Sequence, residues 1–542
     1  MRVKHLAAGC AALLLLSAGT LAASREVPLA EAVKSADRAA VRALLQQGVE
    51  VDAAESDGMT ALHWAVHNDD AETVSLLIGA GANVTAANRY GVTPLSIACT
   101  NGGAAIVERL LKAGADPDTA LPGGETALMT AARTGNTAVL KALLAHGASP
   151  NARESARGQT ALMWAAAENN AAAISVLVEG GADIRARTET PGADAKAPGT
   201  GVFSSATGVA APAAARGPSF TALMFAVQLG QLDAVRALLA AGASVNETLP
   251  DGTSALVLAT INGHWELGAF LADRGADVNA AAQGWTALHS IARLRRTNIG
   301  FGPPPLAGKG NLSSLDLVKK LIAKGANVNA LMARDFRDGY RNRLNRIGAT
   351  PFLLAAKNVD TELMRVLLAA GADPLRPNAD QTTPLMVAAG NDLWNPGEDG
   401  GTGPDNEPEA LEAVKMLVDL GNDVQAVNDR GETALHGAAY RGANSIVKYL
   451  VEKDAKLDAR SSQGWTPWTI ANGVFYSLFF KEQRATAELL AQLMAERGIS
   501  TEGMADDGRT CFDCGRNSGV ARDAEGKRIA QPAQGQPSNP KP

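Results

Sequence analysis

The sequence predicts an all-α solenoid, built from helix–turn–helix units that are joined by short β-like turns. Three observations favour this fold class. At 542 residues the chain is too long for one compact core. Only 4% of the residues are aromatic while 55 are Gly, which favours many small stacked units over one large aromatic core. Finally, a Gly-x-Thr-(Ala/Pro)-Leu signature places Thr60, Thr93 and Thr126 at intervals of 33 residues.

This signature recurs along most of the chain, either at about 33 residues or at that period plus an insertion. Its copies contain Thr60, Thr93, Thr126, Thr160, Thr221, Thr286, Thr433 and Thr466, and in a looser form Ser254, Thr350 and Thr383. One further copy precedes them, beginning with Val27, Pro28 and Leu29. We therefore count twelve units, of which the first is degenerate, as an end-capping repeat often is.

The stretch 429–459, DRGETALHGAAYRGANSIVKYLVEKDAKLDA, contains one whole unit. Thr433 is placed to cap a first helix through its hydroxyl group, and Gly442 ends that helix. A second helix carries Ile446 and Leu450 on one apolar face. Such a pair of helices cannot bury its apolar face alone, so it requires copies on both sides.

These units resemble ankyrin repeats nearly position for position, as in DGMTALHWAV, GETALMTAARTGNTAVLKALLAHGASPNA and GETALHGAAYRGANSIVKYL. The resemblance covers roughly residues 26–498, apart from the insertions. The family pattern Thr-Pro-Leu-His is complete nowhere, since Ala often replaces Pro, and the His remains only at His63, His289 and His436. The resemblance implies a protein that binds another protein without catalysis and without a cofactor. We expect it to be a monomer.

The domain organisation follows from these repeats. We expect a signal peptide over residues 1–24, a solenoid over 25–498 and a largely disordered tail over 499–542 that carries a CxxC pair. Four insertions interrupt the solenoid, at residues 188–218, 297–312, 334–346 and 391–408. The first is rich in Pro, Gly, Ala and Ser and predicts a disordered loop. The insertions 297–312 and 391–408 each separate a first helix from its second, which predicts that they emerge from the same edge.

The N-terminal residues predict export. Arg2 and Lys4 precede an apolar run that ends in small residues, with cleavage expected near residue 24. We therefore expect a periplasmic or secreted protein of bacterial origin. A transmembrane anchor is the alternative, which the shortness of the run disfavours. The net charge of −6 argues against a general nucleic-acid or anionic-membrane surface.

Motifs that carry catalytic or metal chemistry are not found. His63 and His67 lie four residues apart, a spacing that can bind a metal on a helix, but the resemblance implies a structural His63 that bonds a neighbouring turn. The glycines of residues 302–309 do not fit a phosphate-binding loop, because their spacing is one residue too long and Gly310 replaces the Ser or Thr. We predict no catalytic and no metal site.

Cys511 and Cys514 form the only close cysteine pair. No His follows for haem attachment and no second pair exists for zinc. A local disulfide is expected in an exported protein, and reactive or partner-exchanging thiols are the alternative. Cys99 is predicted to be a small buried packing residue.

Candidate partner-binding residues lie at two places in the chain. The residue between Gly and Thr of each signature is usually polar and exposed in the family, but here it includes Phe220, Trp285 and Trp465. These are candidate binding anchors, unless insertions or adjacent repeats cover them. The insertion 334–346 has five Arg against two Asp, with Arg337, Tyr340 and Arg341 as candidate contacts to an acidic partner. A solvated loop is the alternative, and pairing with the acidic insertion 391–408 would remove both from consideration.

The sequence thus predicts an exported protein-interaction module that acts as scaffold, inhibitor or assembly factor for a periplasmic protein. Two alternatives remain open. One is a redox component or enzyme accessory that acts through Cys511 and Cys514. The other is a secreted effector that binds a host protein.

Overall fold

The computed structural model describes residues 27–189, 219–296, 310–335, 343–393, 406–476 and 479–504. These residues contain 24 α-helices, which follow one another as twelve pairs, and two short strands. The all-α prediction is therefore confirmed. Across the described ranges, no helix combines the length and the apolar character that crossing a bilayer requires.

The contacts of the chain divide it into two units. The N-terminal unit comprises Met1–Ala226 and Gln231–Ala243, and the C-terminal unit comprises Val227–Gly230 and Ser244–Pro542. The helices of the N-terminal unit are α1 Pro28–Lys34, α2 Arg38–Gln46, α3 Ala61–His67, α4 Ala71–Gly79, α5 Pro94–Asn101, α6 Ala104–Lys112, α7 Ala127–Thr134, α8 Thr137–Ala145, α9 Ala161–Ala167, α10 Ala171–Glu179 and α12 Leu232–Ala240. Helix α11, Ala222–Leu229, contributes residues to both units.

The C-terminal unit continues the same alternation of first and second helices. Its elements are α13 Ala255–Ile261, α14 Trp265–Asp273, α15 Ala287–Leu294, α16 Ser314–Ala323, α17 Pro351–Lys357, α18 Thr361–Ala369, α19 Pro384–Ala389, α20 Glu407–Asp419, α21 Ala434–Arg441, α22 Asn444–Glu452, α23 Pro467–Asn472, β1 Val474–Tyr476, β2 Phe479–Lys481 and α24 Arg484–Ala495.

The signature Thr residues begin the first helices. Thr126 has extended backbone angles, and its hydroxyl oxygen accepts the N–H of Met129 at 3.3 Å. This bond satisfies one of the N–H groups that the first turn of a helix leaves without a partner. At the other end, Gly135 adopts a left-handed φ of 74°, which glycine reaches without steric cost. The signature Thr and the later Gly135 of the same repeat therefore fix the two ends of this helix locally.

Within each unit, equivalent helices stack on one another. First helices pack in the order α1, α3, α5, α7, α9 in the N-terminal unit and α13, α15, α17, α19, α21, α23 in the C-terminal unit. Second helices pack likewise, as in α4, α6, α8 and α10. Small side chains such as Ala65, Ala98 and Ala131 are fully or almost fully buried between first helices, where they allow close approach.

A ladder of side chains ties consecutive turns together. In each rung, the side-chain oxygen of an Asp or Asn accepts the backbone N–H of a residue in the next turn. The rungs join Asp52 to Asn83 at 2.8 Å, Asp118 to Ser149 at 2.7 Å, Asn151 to Asp183 at 2.7 Å, Asn246 to Asp277 at 2.8 Å, Asn279 to Asn327 at 2.7 Å and Asn329 to Asp373 at 2.8 Å. These bonds add a directional contact to the apolar packing between repeats.

The last repeat contains an element that the sequence analysis did not predict. Strands β1 and β2 form an antiparallel hairpin between α23 and α24, in which Phe475 pairs with Phe480.

The insertions 297–312 and 391–408 fall, as their sequence positions require, between α15 and α16 and between α19 and α20, although most of their residues lie outside the described ranges. Only residues 499–504 of the tail are described.

Candidate partner-binding groove

The N-terminal unit has an open groove along its first helices, which we call the α3–α7 groove. Its volume is about 400 Å³, within the range of ligand clefts. Side chains from three first helices and from the turns before them line it: His67, Val92, Ser96, Ile97, Thr100, Asn101, Leu121, Glu125, Thr130 and Arg133. The groove is therefore built by repetition, since each repeat contributes residues from equivalent positions.

Two helix positions supply half of this lining. The seventh residues of α3, α5 and α7 are His67, Thr100 and Arg133, and all three are exposed. The fourth residues of α3, α5 and α9 are the half-buried Trp64, Ile97 and Trp164. In α7, which lies between α5 and α9, the fourth residue is the buried Thr130, so the apolar positions are interrupted there. Half-buried apolar residues on α3, α5 and α9 thus lie beside the polar seventh positions, an arrangement that suits an amphipathic partner.

Trp64 is held in a fixed orientation at one end of these rows. Its indole N–H donates to Glu55 at 2.8 Å, and the Lys34 ammonium lies 4.7 Å from the ring centroid. The His67 ring meets the Trp64 ring edge to face, at 5.6 Å between centroids. The hydrogen bond from Lys34 to Glu55 raises the pKa of Lys34. The charges around Trp64 are consequently satisfied within the chain.

The charges at the α7 side of the groove are arranged differently. Glu125 accepts a hydrogen bond from the Thr130 hydroxyl at 3.0 Å. The guanidinium of Arg133 lies 5.9 Å from the centroid of the Trp164 ring. No carboxylate of the described residues lies within 4.0 Å of Arg133, in contrast to Lys34. Arg133 is therefore an exposed cation with no ion-pair partner among the described residues, in a groove that Glu125 also lines.

The C-terminal unit does not repeat this open apolar row. The fourth residues of its first helices are buried: Leu258, Ser290, Leu354, Val387, Gly437 and Ile470. At α21 the chain itself takes up the space, because a Cβ atom on Gly437 would lie 2.4 Å from the backbone nitrogen of Asn391. Half-buried large side chains at this position are thus found in the N-terminal unit and not in the described first helices of the C-terminal unit.

Two of the three predicted aromatic anchors are not exposed, which corrects that expectation. Phe220 is 7% exposed and packs against Phe225 at 5.1 Å between ring centroids. Trp465 is 4% exposed, and its carbonyl oxygen accepts from Ser461 at 2.8 Å. Trp285 is half-buried. Adjacent turns and helices cover Phe220 and Trp465, the alternative that the sequence analysis had left open.

The Arg-rich insertion is described only at its ends. Arg337, Tyr340 and Arg341 lie outside the described residues, as do Cys511 and Cys514. Arg343 and Arg346 are 6% and 7% exposed, and Arg346 pairs with Asp335 of the same insertion at 2.5 Å. These two arginines therefore belong to the packed interior, so they do not form part of an exposed basic surface.

The acidic insertion begins with a buried segment. The side chain of Asp392 is fully buried and pairs with Arg430 at 2.5 Å. Of the five acidic residues in this insertion, Asp392 and Glu407 lie in the described ranges, and Glu407 accepts the N–H of Ser445 at 2.7 Å. These two carboxylates therefore have partners within the chain, and those partners lie outside the Arg-rich insertion.

His63 and Cys99 have structural surroundings. Nδ1 of His63 accepts the Thr60 N–H at 3.1 Å, and Nε2 lies 3.1 Å from the Val92 carbonyl oxygen. This is the structural role that the resemblance implies for His63. Cys99 is fully buried, as predicted, and burial raises its thiol pKa to about 12. Within the described ranges, no group of three or more His, Cys, Asp or Glu side chains is placed to hold a metal ion.

The groove itself was not predicted, and the sequence contains only a partial signal for it. Aligning the repeats on their signature Thr brings Trp64, Ile97, Trp164 and Phe225 to the same helix position, with Thr130 between them. The equivalent residues of the C-terminal unit include apolar ones such as Val387, which are buried. Large aromatic side chains at this position are therefore the available signal, and the pattern of apolar residues alone does not mark the groove.

Comparison with known proteins identifies related sequences. A family model described as ankyrin repeats (3 copies) matches residues 29–120, 116–188, 220–300 and 406–496, together more than half of the chain. Human ankyrin repeat and SOCS box protein 16 is 34% identical over 244 residues, covering 40% of this chain and 47% of that protein. A Caenorhabditis elegans homologue of transient receptor potential cation channel subfamily A member 1 is 32% identical over 127 residues, covering 23% and 9%.

A shorter relative matches more closely. The Notch-regulated ankyrin repeat-containing protein of Xenopus tropicalis is 49% identical over 51 residues, covering 9% of this chain and 44% of that protein. The chain therefore spans less than half the length of each of these three relatives.

Proposed function

The chain belongs to the ankyrin-repeat family, whose repeats form protein–protein interaction modules, and from this premise we propose that it is an exported module whose α3–α7 groove holds a segment of a partner protein. It acts as scaffold, inhibitor or assembly factor for a periplasmic partner. The observation that carries this proposal is the open groove that contains Ile97, with the half-buried Trp64 and Trp164 next to its lining residues His67 and Arg133. Large apolar side chains that keep part of their surface exposed gain from its burial by a partner.

Export is supported by the N-terminal sequence. Arg2 and Lys4, the apolar run and the small residues at positions 22–24 have the order of a cleavable signal. In a bacterial host, the tagged full chain is expected in the periplasmic fraction, with a mature N-terminus near residue 25. Recovery of uncleaved protein from the cytoplasm would contradict export. Recovery from the medium alone would favour the secreted effector over a periplasmic factor.

The groove is tested by site-specific crosslinking. A photoreactive amino acid in place of Ile97 lies in the groove, whereas the same group in place of exposed Ser75 lies on the second helix α4. We expect the probe at position 97 to capture a partner that the probe at position 75 does not. Equal capture at both positions, or capture at position 75 alone, would place the interaction elsewhere.

The redox alternative has its own test with the same readout. Replacing both Cys511 and Cys514 by Ser removes the CxxC pair and leaves the groove residues unchanged. If the chain is a binding module that acts through its groove, capture from position 97 is retained in this variant. Loss of capture together with loss of a mixed disulfide to the partner would favour the tail.

A further inference from the structure

The polarity of the α3–α7 groove indicates what kind of segment it holds. Resting on the proposed function, we propose that its occupant is an extended segment of the partner protein that places a carboxylate against Arg133 and an apolar side chain over Ile97.

The charges that face the groove are unequal in their pairing. Glu125 is the one carboxylate of the lining, and the Thr130 hydroxyl already donates to it. Arg133 is exposed and has no ion-pair partner among the described residues. His67 and Thr100, at equivalent helix positions, add two further polar groups to the same row. The hydroxyl of Thr130 does not cancel the charge of Glu125, so the groove offers one anion and one cation. An acidic group placed at the α7 helix face can pair with Arg133, whereas a basic group placed there meets a like charge.

Trp164 adds a donor that lacks an acceptor. Its indole nitrogen is buried and has no hydrogen-bond partner within the described ranges. The equivalent nitrogen of Trp64 donates to Glu55 at 2.8 Å. A buried donor without an acceptor is costly, and Trp164 lies next to the lining residue Arg133 without being part of the lining itself. A partner that displaces this ring and offers it an acceptor oxygen would remove that cost.

The reason for this difference lies in the turn before α9. Glu154 corresponds in position to Glu55. The backbone N–H of each donates to the carbonyl oxygen of the residue just before the signature Thr of its own repeat. The Glu154 carboxylate, however, accepts the N–H groups of Ala156, Arg157 and Gln159 at 2.6, 2.8 and 3.0 Å. It is committed to its own turn, so the chain supplies no carboxylate to Trp164 in the way that it does to Trp64.

The dimensions favour an extended occupant. A helix with its side chains is about 10–12 Å across, which a groove of about 400 Å³ cannot enclose over more than a short length. Neighbouring stacked helices are about 10 Å apart, and an extended chain advances about 3.3 Å per residue. An apolar side chain over Ile97 of α5 and a carboxylate at Arg133 of α7 are then about three residues apart.

The net charge of the whole chain does not account for a preference for acidic segments. With a net charge of −6, the protein repels acidic peptides at long range. Preference for an acidic segment must therefore come from the groove itself. A general electrostatic attraction would favour basic peptides instead.

Synthetic peptides of about twelve residues test this directly, since that length spans the groove when extended. In a Gly/Ser background, one carries Leu and Glu three residues apart, in either order, and matched peptides replace Glu by Gln or Lys. Binding is measured by fluorescence anisotropy with the full-length protein. We expect the better Glu peptide to bind at least about tenfold more tightly than its Gln and Lys counterparts.

Two variants identify the residue that reads the carboxylate. Arg133→Gln is expected to remove the preference for Glu over Gln. Arg42→Gln, which removes the same charge from the second helix α2, is expected to keep it. Equal binding of all peptides, tighter binding of the Lys peptide, or an unchanged preference in Arg133→Gln overturns this inference. If crosslinking from position 97 still captures a partner in that case, the proposed function stands without the acidic preference; absence of capture would remove both.

Discussion

The carboxylate of Asp392 lies 2.5 Å from the guanidinium of Arg430, in the interior of the C-terminal unit. Arg430 also lies 3.0 Å from Glu432 and 3.7 Å from Asp380, and the side chains of all three acids are at most 6% exposed. One guanidinium thus serves three buried carboxylates. The beginning of the acidic insertion is thereby attached to the turn of the following repeat.

We expect Arg430→Gln to lower the free energy of unfolding by about 3–5 kcal/mol, because it takes a positive charge away from carboxylates that remain buried. Urea unfolding of the full chain, followed by circular dichroism, measures this loss. Arg376→Gln removes an exposed arginine of the same unit and is expected to change stability by less than about 0.5 kcal/mol. Similar midpoints for the two variants would mean that Arg430 does not bind the acidic cluster as described.

Gly437 provides a second test of the same segment. A methyl group on its Cα would lie 2.2 Å from the side-chain oxygen of Asn391 and 2.4 Å from its backbone nitrogen. Because the backbone cannot yield as a flexible side chain does, we expect Gly437→Ala to destabilise the protein by about 1–3 kcal/mol. The measurement is again urea unfolding.

Gly79, in helix α4, is the matched control for this substitution. A Cβ atom at Gly79 meets nothing within 4 Å. Alanine is the better helix former by about 1 kcal/mol, so Gly79→Ala is expected to leave stability unchanged or raised. A Gly437→Ala variant that is as stable as Gly79→Ala would show that residues 391–392 do not pack on α21.

The sequence was sufficient for the repeats and their helix boundaries because these depend on local chemistry. The cap by Thr126 and the left-handed Gly135 involve residues within one repeat, and both residues can be recognised in the sequence. The burial of Phe220 and Trp465 is different in kind. It depends on which neighbouring turns and helices reach those rings, and spacing along one chain does not contain that information.

The hairpin and the groove escaped prediction for two further reasons. An insertion is recognised when it lengthens the interval between two signatures, and no signature follows Thr466 to reveal the extra residues of β1 and β2. The groove depends on comparing equivalent residues between repeats, such as Ile97 with Val387. Both are apolar, and only the structure shows that the first is half-buried while the second is fully covered.

Acid should weaken the contacts that the three capping histidines make. Burial lowers the pKa of His63 and His436, and that of His289 to about 4. Nδ1 of His289 accepts the Thr286 N–H at 3.1 Å, so a proton on that nitrogen removes the acceptor. The unfolded chain takes up this proton near its ordinary pKa of about 6.5, well before the folded chain does.

The contribution of His289 to stability is therefore fully present above about pH 6.5 and is lost as the pH falls towards 4. We expect the free energy of unfolding to decrease by up to about 1.4 kcal/mol per pH unit for each such histidine in this window. His289→Gln should be less stable at pH 7.5 and show a shallower decline below pH 6.5. A slope identical to that of the unmodified chain would exclude His289 as a source of the acid sensitivity.

Cys99 should be inert towards alkylation while the protein is folded. Its side chain is fully buried in α5, and burial raises the thiol pKa to about 12. Only the thiolate attacks iodoacetamide, and at pH 8 a thiol with that pKa is ionised to about one part in ten thousand. We expect the reduced native chain to be labelled at Cys99 at least about a hundredfold more slowly than glutathione, and at a comparable rate in urea.

Peptide mass spectrometry assigns the label to each cysteine, so the labelling of Cys511 and Cys514 is measured in the same sample. Rapid native labelling at Cys99 would mean that the contact between α5 and its neighbours opens far more often than this packing allows, and would undermine the close stacking on which the groove depends.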